Sequence, residues 1–409
     1  MKYIHRNIQK KIDKFLYDDD ILILTGARQT GKSSLLKYYF DTLKAKDFST
    51  VYISLEDIDY LNILNSSPKN LLQFVSLSTK KKVFVFIDEI QYLNNPTNFL
   101  KYIYDEYKDR IKLFVSGSSA FYIDSKFKDS LAGRKKIFIL NTLSFSEFLK
   151  FKNEDKLKQE FDKIDLKQKD LSIFNIIDQK KINILKNEYM QYGGYPRVVL
   201  ENDIEKKLLI IHELANSYVK KDALESNINY IDKFYMLFQL LANNIGKLIN
   251  KNELSKILNV STTVIDNYLT IIKKSFHIFM IDPFYNNLSK EIRKMKKVYF
   301  NDLGLRNFFV KNFDIIDTRI DKGEIYENFV YKQLIELYNY DSIKFWHTQS
   351  KNEVDFIIDN KIAYEVKYNT DLFKYSKYKN FFEKYPKIQF YVITQTQNLN
   401  TSDVKFVKF

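Results

Sequence analysis

The sequence contains no cysteine, which removes disulfide bridges, thiolate zinc sites and cysteine nucleophiles in one step. Glycine and proline are scarce, at 9 and 5, so each is expected to mark a particular turn or site. No apolar run approaches the ~20 residues needed to span a bilayer. The opening Met1-Lys2-Tyr3-Ile4-His5-Arg6 lacks the apolar core of a signal peptide. The expectation is a cytoplasmic protein with no membrane partner. What is present is globular: 45% of residues are hydrophobic, and 409 residues suit two or three domains. Lys and Arg outnumber Asp and Glu by 65 to 51, a net charge of +14. That excess suits a polyanionic partner such as nucleic acid. It equally suits a Lys-, Asn-, Ile- and Tyr-rich composition with a solvated basic surface, and charge alone leaves both open.

Gly26-Ala27-Arg28-Gln29-Thr30-Gly31-Lys32-Ser33 reads G-x-x-x-x-G-K-S. The apolar run Ile21–Thr25 precedes it, and Ser34–Phe40 follows with apolar residues at helical spacing. Strand, glycine-rich loop and helix in that order are the context of a nucleotide-binding P-loop. Residues 26–33, with Ser34, are therefore candidates to bind ATP. Backbone N–H groups and the helix dipole face the phosphates, Lys32 adds a full charge, and the Ser33 hydroxyl is placed for Mg²⁺. Thr50–Leu55 reads as a second strand. Lys82–Gln91 is an apolar strand ending in Asp88-Glu89, which delivers Asp88 to Mg²⁺ beside Ser33 and Glu89 to the attacking water.

Ile111–Ser116 is the next strand, and Ser116 at its tip is a candidate to hydrogen-bond the γ-phosphate or the lytic water. In Ser130-Leu131-Ala132-Gly133-Arg134, Arg134 is a candidate to face a phosphate of its own site or of a neighbour in a homo-oligomer, and Arg28 is a second. A surface salt bridge is the alternative for either. Residues 3–17 read as a short amphipathic helix.

Residues 150–190 are expected as helices over the nucleotide site, broken at Gly193-Gly194-Tyr195-Pro196 before another helix from about 203 to 222. Helices at Phe234–Leu241, Asn252–Leu258 and Ser261–Lys273, then extended segments at Phe276–Ile281 and Lys297–Phe300, read as a winged helix. Thr262, Thr263 and Asn267 would then face DNA; the alternative is a small packing domain. Further on, Gly323–Val330 opens a helix, and strands follow at 343–347, 352–358, 361–367 and 390–393. Glu365 and Lys367 lie at i and i+2, on one face of a strand, and Asp355 on the neighbouring strand reaches the same spot. Two carboxylates suit Mg²⁺, and Lys367 suits a water or phosphate charge. An ordinary charged hairpin is the alternative. His347 and Gln349 lie just upstream.

The set Gly-Ala-Arg-Gln-Thr-Gly-Lys-Ser, Ile-Asp-Glu-Ile-Gln, Val-Ser-Gly-Ser-Ser and Leu-Ala-Gly-Arg resembles AAA-type ATPases of bacteria and archaea. More narrowly, it resembles the subgroup with a restriction-endonuclease-like C-terminal part. Leu143–Leu149 and Tyr192–Pro196 are similar to that subgroup's characteristic stretches, and Asp355…Glu365-x-Lys367 resembles the D…E-x-K nuclease signature. The resemblance implies an α/β protein with a parallel P-loop NTPase sheet (1–150), a helical lid (151–225), a winged-helix-like domain (226–305) and a restriction-endonuclease-like domain (306–409). It also implies a metal site of Asp355 and Glu365 with Glu327 as a further acid. The implied function is an ATP-hydrolysing ATPase coupled to a nucleic-acid-binding, metal-dependent nuclease domain. The alternative is a nucleotide-dependent switch with an inactive nuclease-like domain.

Overall fold

The computed structural model describes residues 3–77, 82–117, 131–164, 166, 174–226, 228–284, 295–348, 352–395 and 405–409. Two compact units emerge: 1–142 with 274–276, and 143–273 with 277–409.

In the first unit, strands β1 (Ile21–Thr25), β2 (Thr50–Ser54), β3 (Val83–Asp88), β4 (Ile111–Gly117) and β5 (Lys135–Ile139) form one sheet in the order β2-β3-β4-β1-β5. Every pairing is parallel. The inner strands β1 and β3 are apolar and buried along almost their whole length because both faces are covered. Ile21, Ile23, Val83, Val85 and Ile87 pack on one side with Phe99, Leu100 and Ile103 of α4 (Pro96–Tyr107) and with Leu64 of α3 (Ile58–Ser66). Leu22, Leu24, Phe84 and Phe86 pack on the other with Leu35, Leu36, Tyr39 and Leu43 of α2 (Lys32–Lys44). Since the strands are parallel, Thr25, Asp88 and Ser116 share one sheet edge, the edge where open α/β sheets bind ligands. The helix expected over 3–17 is shorter: α1 covers Gln9–Ile12, followed by a 3-10 turn at Asp13–Phe15. The Gln9 side chain accepts the Arg6 backbone N–H at 2.7 Å, which holds residues 3–6 out of the helix.

The second unit opens with helices α5 (Phe145–Phe151), α6 (Asp155–Phe161), α7 (Ile176–Tyr192), α8 (Pro196–Leu200) and α9 (Ile204–Glu225). The helices expected as a lid thus cluster with the C-terminal residues. Ser144 and Glu147 form a reciprocal capping box at the start of α5. The Gly193-Gly194 break is a packing device. Gly193 has φ +80°, and a Cβ there would lie 2.1 Å from Asp302 Oδ1. The Gly194 N–H donates to Asp302 Oδ2 at 2.7 Å, while Asp302 Oδ1 caps α13 (Leu303–Val310) through the Leu305 N–H at 3.0 Å.

Helices α10 (Ile231–Asn243), α11 (Lys251–Leu258) and α12 (Thr262–Lys274) follow as expected, with Asn259 left-handed between the last two. Thr262, Thr263 and Asn267 are exposed. Strands β6 (Ile278–Pro283) and β7 (Lys297–Phe300) pair antiparallel, as a wing would. However, β6 also pairs in parallel with β8 (Ile343–His347). A boundary at 305 therefore falls inside one continuous sheet, of order β12-β11-β10-β9-β8-β6-β7. Its remaining strands are β9 (Glu353–Ile358), β10 (Ile362–Lys367), β11 (Gln389–Thr394) and β12 (Lys405–Lys408), with α14 (Lys322–Leu337) between β7 and β8 and α15 (Lys379–Lys384) between β10 and β11. No helix among the described residues is long and apolar enough to cross a membrane.

Candidate nucleotide site and a second, acidic cluster

The P-loop is shaped by its glycines and by packing beneath it. Gly26 has φ +146°, and a Cβ there would stand 2.1 Å from the Leu140 carbonyl oxygen, so only glycine fits. Gly31, at φ +101°, starts α2, whose first N–H groups have no partner within the helix. Lys32 is 4% exposed, and its Nζ donates to the carbonyls of Gly26 at 3.0 Å and Ala27 at 2.9 Å. Burial pushes its ammonium down to about 8; Glu89 and Asp88 pull it back upward, and Arg28 adds to the fall. Thr30 Oγ1 ties the loop to Ala27 O at 2.9 Å. Ser33 is half-buried, whereas Gln29 and Ser34 are exposed.

Asp88 and Ser116 occupy neighbouring strand ends. The Ser116 hydroxyl donates to Asp88 Oδ1 and accepts the Glu89 N–H at 3.2 Å. It is a brace for both acids, which adds a positioning contact to the phosphate-facing role the sequence put forward. Tyr52 donates to the other Asp88 oxygen at 3.0 Å. Glu89 sits at φ +58°, a left-handed conformation uncommon for a non-glycine residue, and Gln91 Nε2 donates to its carboxylate. Two further contacts were hidden from sequence: the Arg6 guanidinium donates to Thr30 O at 2.8 Å and Asn141 O at 2.9 Å, pinning the loop to β5's exit. A triphosphate with its magnesium fits this cradle. The observations are a buried ammonium, a helix N-terminus and the Thr25 Oγ1, which is buried without a hydrogen-bond partner at the loop's base.

Arg134 takes the alternative of a surface salt bridge. It precedes β5, and its carbonyl receives the Ile21 N–H that begins β1, so it lies at the edge of the sheet opposite the P-loop. Its Nε pairs with Asp105 at 2.8 Å, on the surface. A parallel strand carries its two ends about 17 Å apart, which removes Arg134 from its own nucleotide site. Ser118, Ser119, Ser130 and Gln349 lie outside the described residues.

The second cluster lies wholly in the second unit. Glu353 and Asp355 of β9, Glu365 and Lys367 of β10, and Lys297 and Tyr299 of β7 each stand two apart on a strand, hence on one face. Glu327 comes from α14, and Asn328 beside it clamps β7: it accepts the Phe300 N–H at 2.7 Å and donates to Phe300 O at 2.9 Å. The expected residues do converge, around a residue that was not foreseen. Lys297 is fully buried. Its Nζ lies 3.2 Å from Glu327 Oε1, 3.2 Å from Asp355 Oδ1 and in contact with Glu353.

Both Asp355 and Glu365 are engaged at each of their oxygens. Asp355 Oδ2 accepts the Val366 N–H at 2.9 Å, and the Asp355 N–H donates to Glu365 Oε2 at 3.3 Å. Lys367 Nζ donates to Glu365 Oε1 and to Val366 O at 3.1 Å, and Tyr378 donates to Glu365 at 2.7 Å. Tyr299 donates to Glu327 at 2.6 Å. Burial, then Asp355, raise Glu365 to about 8 and Glu327 to about 7. Burial also pulls Asp355 upward, but Lys297 and Lys367 outweigh it and hold the carboxyl low. No group of three or more acid or imidazole side chains among the described residues is arranged to hold a metal. The donor set expected for Mg²⁺ from Glu327, Asp355 and Glu365 does not fit one, because Lys297 holds an oxygen of Glu327 and of Asp355, Lys367 holds one of Glu365, and backbone N–H groups hold the second oxygens of Asp355 and Glu365.

Residues 18–149 match the family model described as "AAA domain". Residues 185–314 and 322–408 match models described as domains of unknown function, DUF8612 and DUF4143. Among curated proteins, the uncharacterized protein MJ1544 of Methanocaldococcus jannaschii is 28% identical over 90% of this chain and 78% of its own. An uncharacterized protein of Haemophilus influenzae is 25% identical over 89% and 87%. Among solved structures, Aeropyrum pernix ORC1 in complex with DNA has a TM-score of 0.36 and 10% identity over 76% of this chain and 93% of that one. The Thermotoga maritima RuvB Holliday junction branch migration motor has 0.32 and 16% over 68% and 89%. The matched model, the five-stranded parallel sheet and the loop it carries make the first unit a P-loop nucleoside-triphosphatase core of the AAA type.

Proposed function

We propose that the first unit binds ATP with Mg²⁺ and hydrolyses it, and that the second is a restriction-endonuclease-like module that engages nucleic acid under nucleotide control. The observation that carries the first half is the Ser116 hydroxyl joining Asp88 to the backbone of Glu89, on the sheet edge that also carries Lys32. In this reading the loop N–H groups and Lys32 hold the phosphates. Ser33 and Asp88 would hold the magnesium, which would supply charge neutralisation on the phosphate oxygens. Glu89, oriented by Gln91, takes the proton of the attacking water. Lys32→Ala is expected to abolish binding of a fluorescent ATP analogue. Glu89→Gln should bind it normally while phosphate release falls by about 10²–10⁴-fold. Parental turnover in Glu89→Gln would remove the assigned base.

For the second unit, the convergence of Asp355, Glu365 and Lys367 supports the nuclease-like fold. The binding-without-cutting alternative is favoured by Lys297, whose ammonium faces the acids. Supercoiled plasmid incubated with Mg²⁺ or Mn²⁺ separates the two: cutting that Asp355→Ala and Lys367→Ala both abolish supports a nuclease, and intact plasmid supports the binding module.

A further inference from the structure

We infer that Lys297 is the resident cation of the acidic cluster and stands where the nuclease signature leads one to expect a divalent ion. The inference rests on reading the second unit as nuclease-like. Lys297 is held from all sides. Its strand is clamped by Asn328 on α14, Tyr299 two residues on stacks against Tyr331 with ring centroids 4.5 Å apart, and its Nζ lies 5.6 Å from the Phe345 ring centroid. The Lys297 side chain is 1% exposed, and solvent meets the cluster on the side of Glu353. It meets carboxylates from two elements remote in sequence, α14 and β9, as a bridging metal would.

The surroundings reinforce this placement. Gly246, at φ +70°, closes on Glu327, and a Cβ there would come within 3.2 Å of Glu327 Oε1, so the backbone itself backs the acid that faces Lys297. The backbone oxygen of Val366, the neutral donor beside Asp355 and Glu365, already accepts from Lys367. An oxygen-seeking cation such as Mg²⁺ would need the same carboxylate oxygens, and Lys297 already holds those of Glu327, Glu353 and Asp355. The cluster is thus a closed ion-pair network in which one ammonium ties α14 to β9.

The test uses the full-length protein without nucleotide. Mn²⁺ is titrated in and the free ion counted by electron paramagnetic resonance for the wild type, Asp355→Asn, Lys297→Met and the Lys297→Met/Asp355→Asn double variant. The wild type and Asp355→Asn are expected to superimpose, Lys297→Met to gain a Mn²⁺ site, and the double variant to lose it. Mn²⁺ captured by the wild type and lost in Asp355→Asn overturns the assignment, as does a folded Lys297→Met that gains no site. If Lys297→Met does not fold, the comparison of wild type with Asp355→Asn decides by itself: superposition supports, divergence overturns. Anisotropy of a labelled duplex in EDTA tests the underlying reading separately. Absence of duplex binding removes the nuclease-like reading but leaves the cation assignment, whereas Mn²⁺ capture through Asp355 removes the assignment alone.

Discussion

Lys32 carries the most direct consequence at the scale of one residue. Burial holds it at about 8, against an ordinary value of 10.5. Its ammonium is the form that attracts phosphate, so affinity for an ATP analogue is level below pH 8 and falls above it, by about tenfold at pH 9. Titration of the fluorescent analogue at pH 7, 8 and 9 reads this directly, with Lys32→Arg flat over the same range; equal affinities at pH 7 and 9 in the parent would contradict it. Stability runs the other way. Between pH 8 and 10.5 the unfolded chain keeps a proton the folded one has released, so unfolding free energy rises with pH across that window, by about 3 kcal/mol.

Gly26→Ala meets a backbone carbonyl at 2.1 Å, whereas a Cβ at Gly133 meets nothing within 4 Å and only the φ of +73° opposes it. Gly26→Ala should cost about 1–3 kcal/mol together with analogue binding; Gly133→Ala should cost about 1–2 kcal/mol and leave binding alone. Thermal melts with analogue titration compare the pair. The loop and the Asp88-Glu89 pair were legible because a contiguous pattern specifies them. Arg6, 24 residues from its partner Thr30, and Lys297, 58 residues from Asp355, were not, since only tertiary register brings them in.

At the scale of elements, unbroken apolar runs identified β1 and β3 because strands buried on both faces need no alternation. The i, i+2 spacing placed Glu365 and Lys367 correctly on one face. The two extended segments expected as a wing do pair with each other, but nothing in Lys297–Phe300 announces that its partner strand also joins β8, because sheet order is set by packing between segments distant in sequence. The Gly193-Gly194 motif was legible as a break between helices and as a mark of resemblance; its physical reason is Asp302, which burial raises above the usual carboxylate value. Asp302 accepts N–H groups from two elements, Gly194 after α7 and Leu305 in α13. Asp302→Ala strands both, at roughly 1–3 kcal/mol for each buried donor left without an acceptor. Hydrogen exchange should accelerate at the Gly194 and Leu305 amides, with a lower melting temperature. Unchanged exchange at both would show that the carboxylate does not join the two elements.

At the scale of the whole molecule, the nucleotide control proposed for the second unit would be a coupling free energy, and such coupling is reciprocal. If ATP changes the affinity for a duplex by some factor, the duplex must change the affinity for ATP by the same factor, typically about 5–150-fold where two sites are coupled. Glu89→Gln serves for this measurement, because it is expected to hold ATP without consuming it. Anisotropy of a labelled duplex is recorded with and without ATP·Mg²⁺, and analogue binding with and without saturating duplex. The two ratios should agree, and both should collapse to one in Lys32→Ala, in which the nucleotide is not held. Metal chelation complicates the reading only through the nucleotide's own magnesium, since the acidic cluster is expected to be closed to divalent ions. Two ratios that each equal one in Glu89→Gln would mean that the units work independently, and the chain would then be an ATPase and a nucleic-acid-binding module joined without conversation between them.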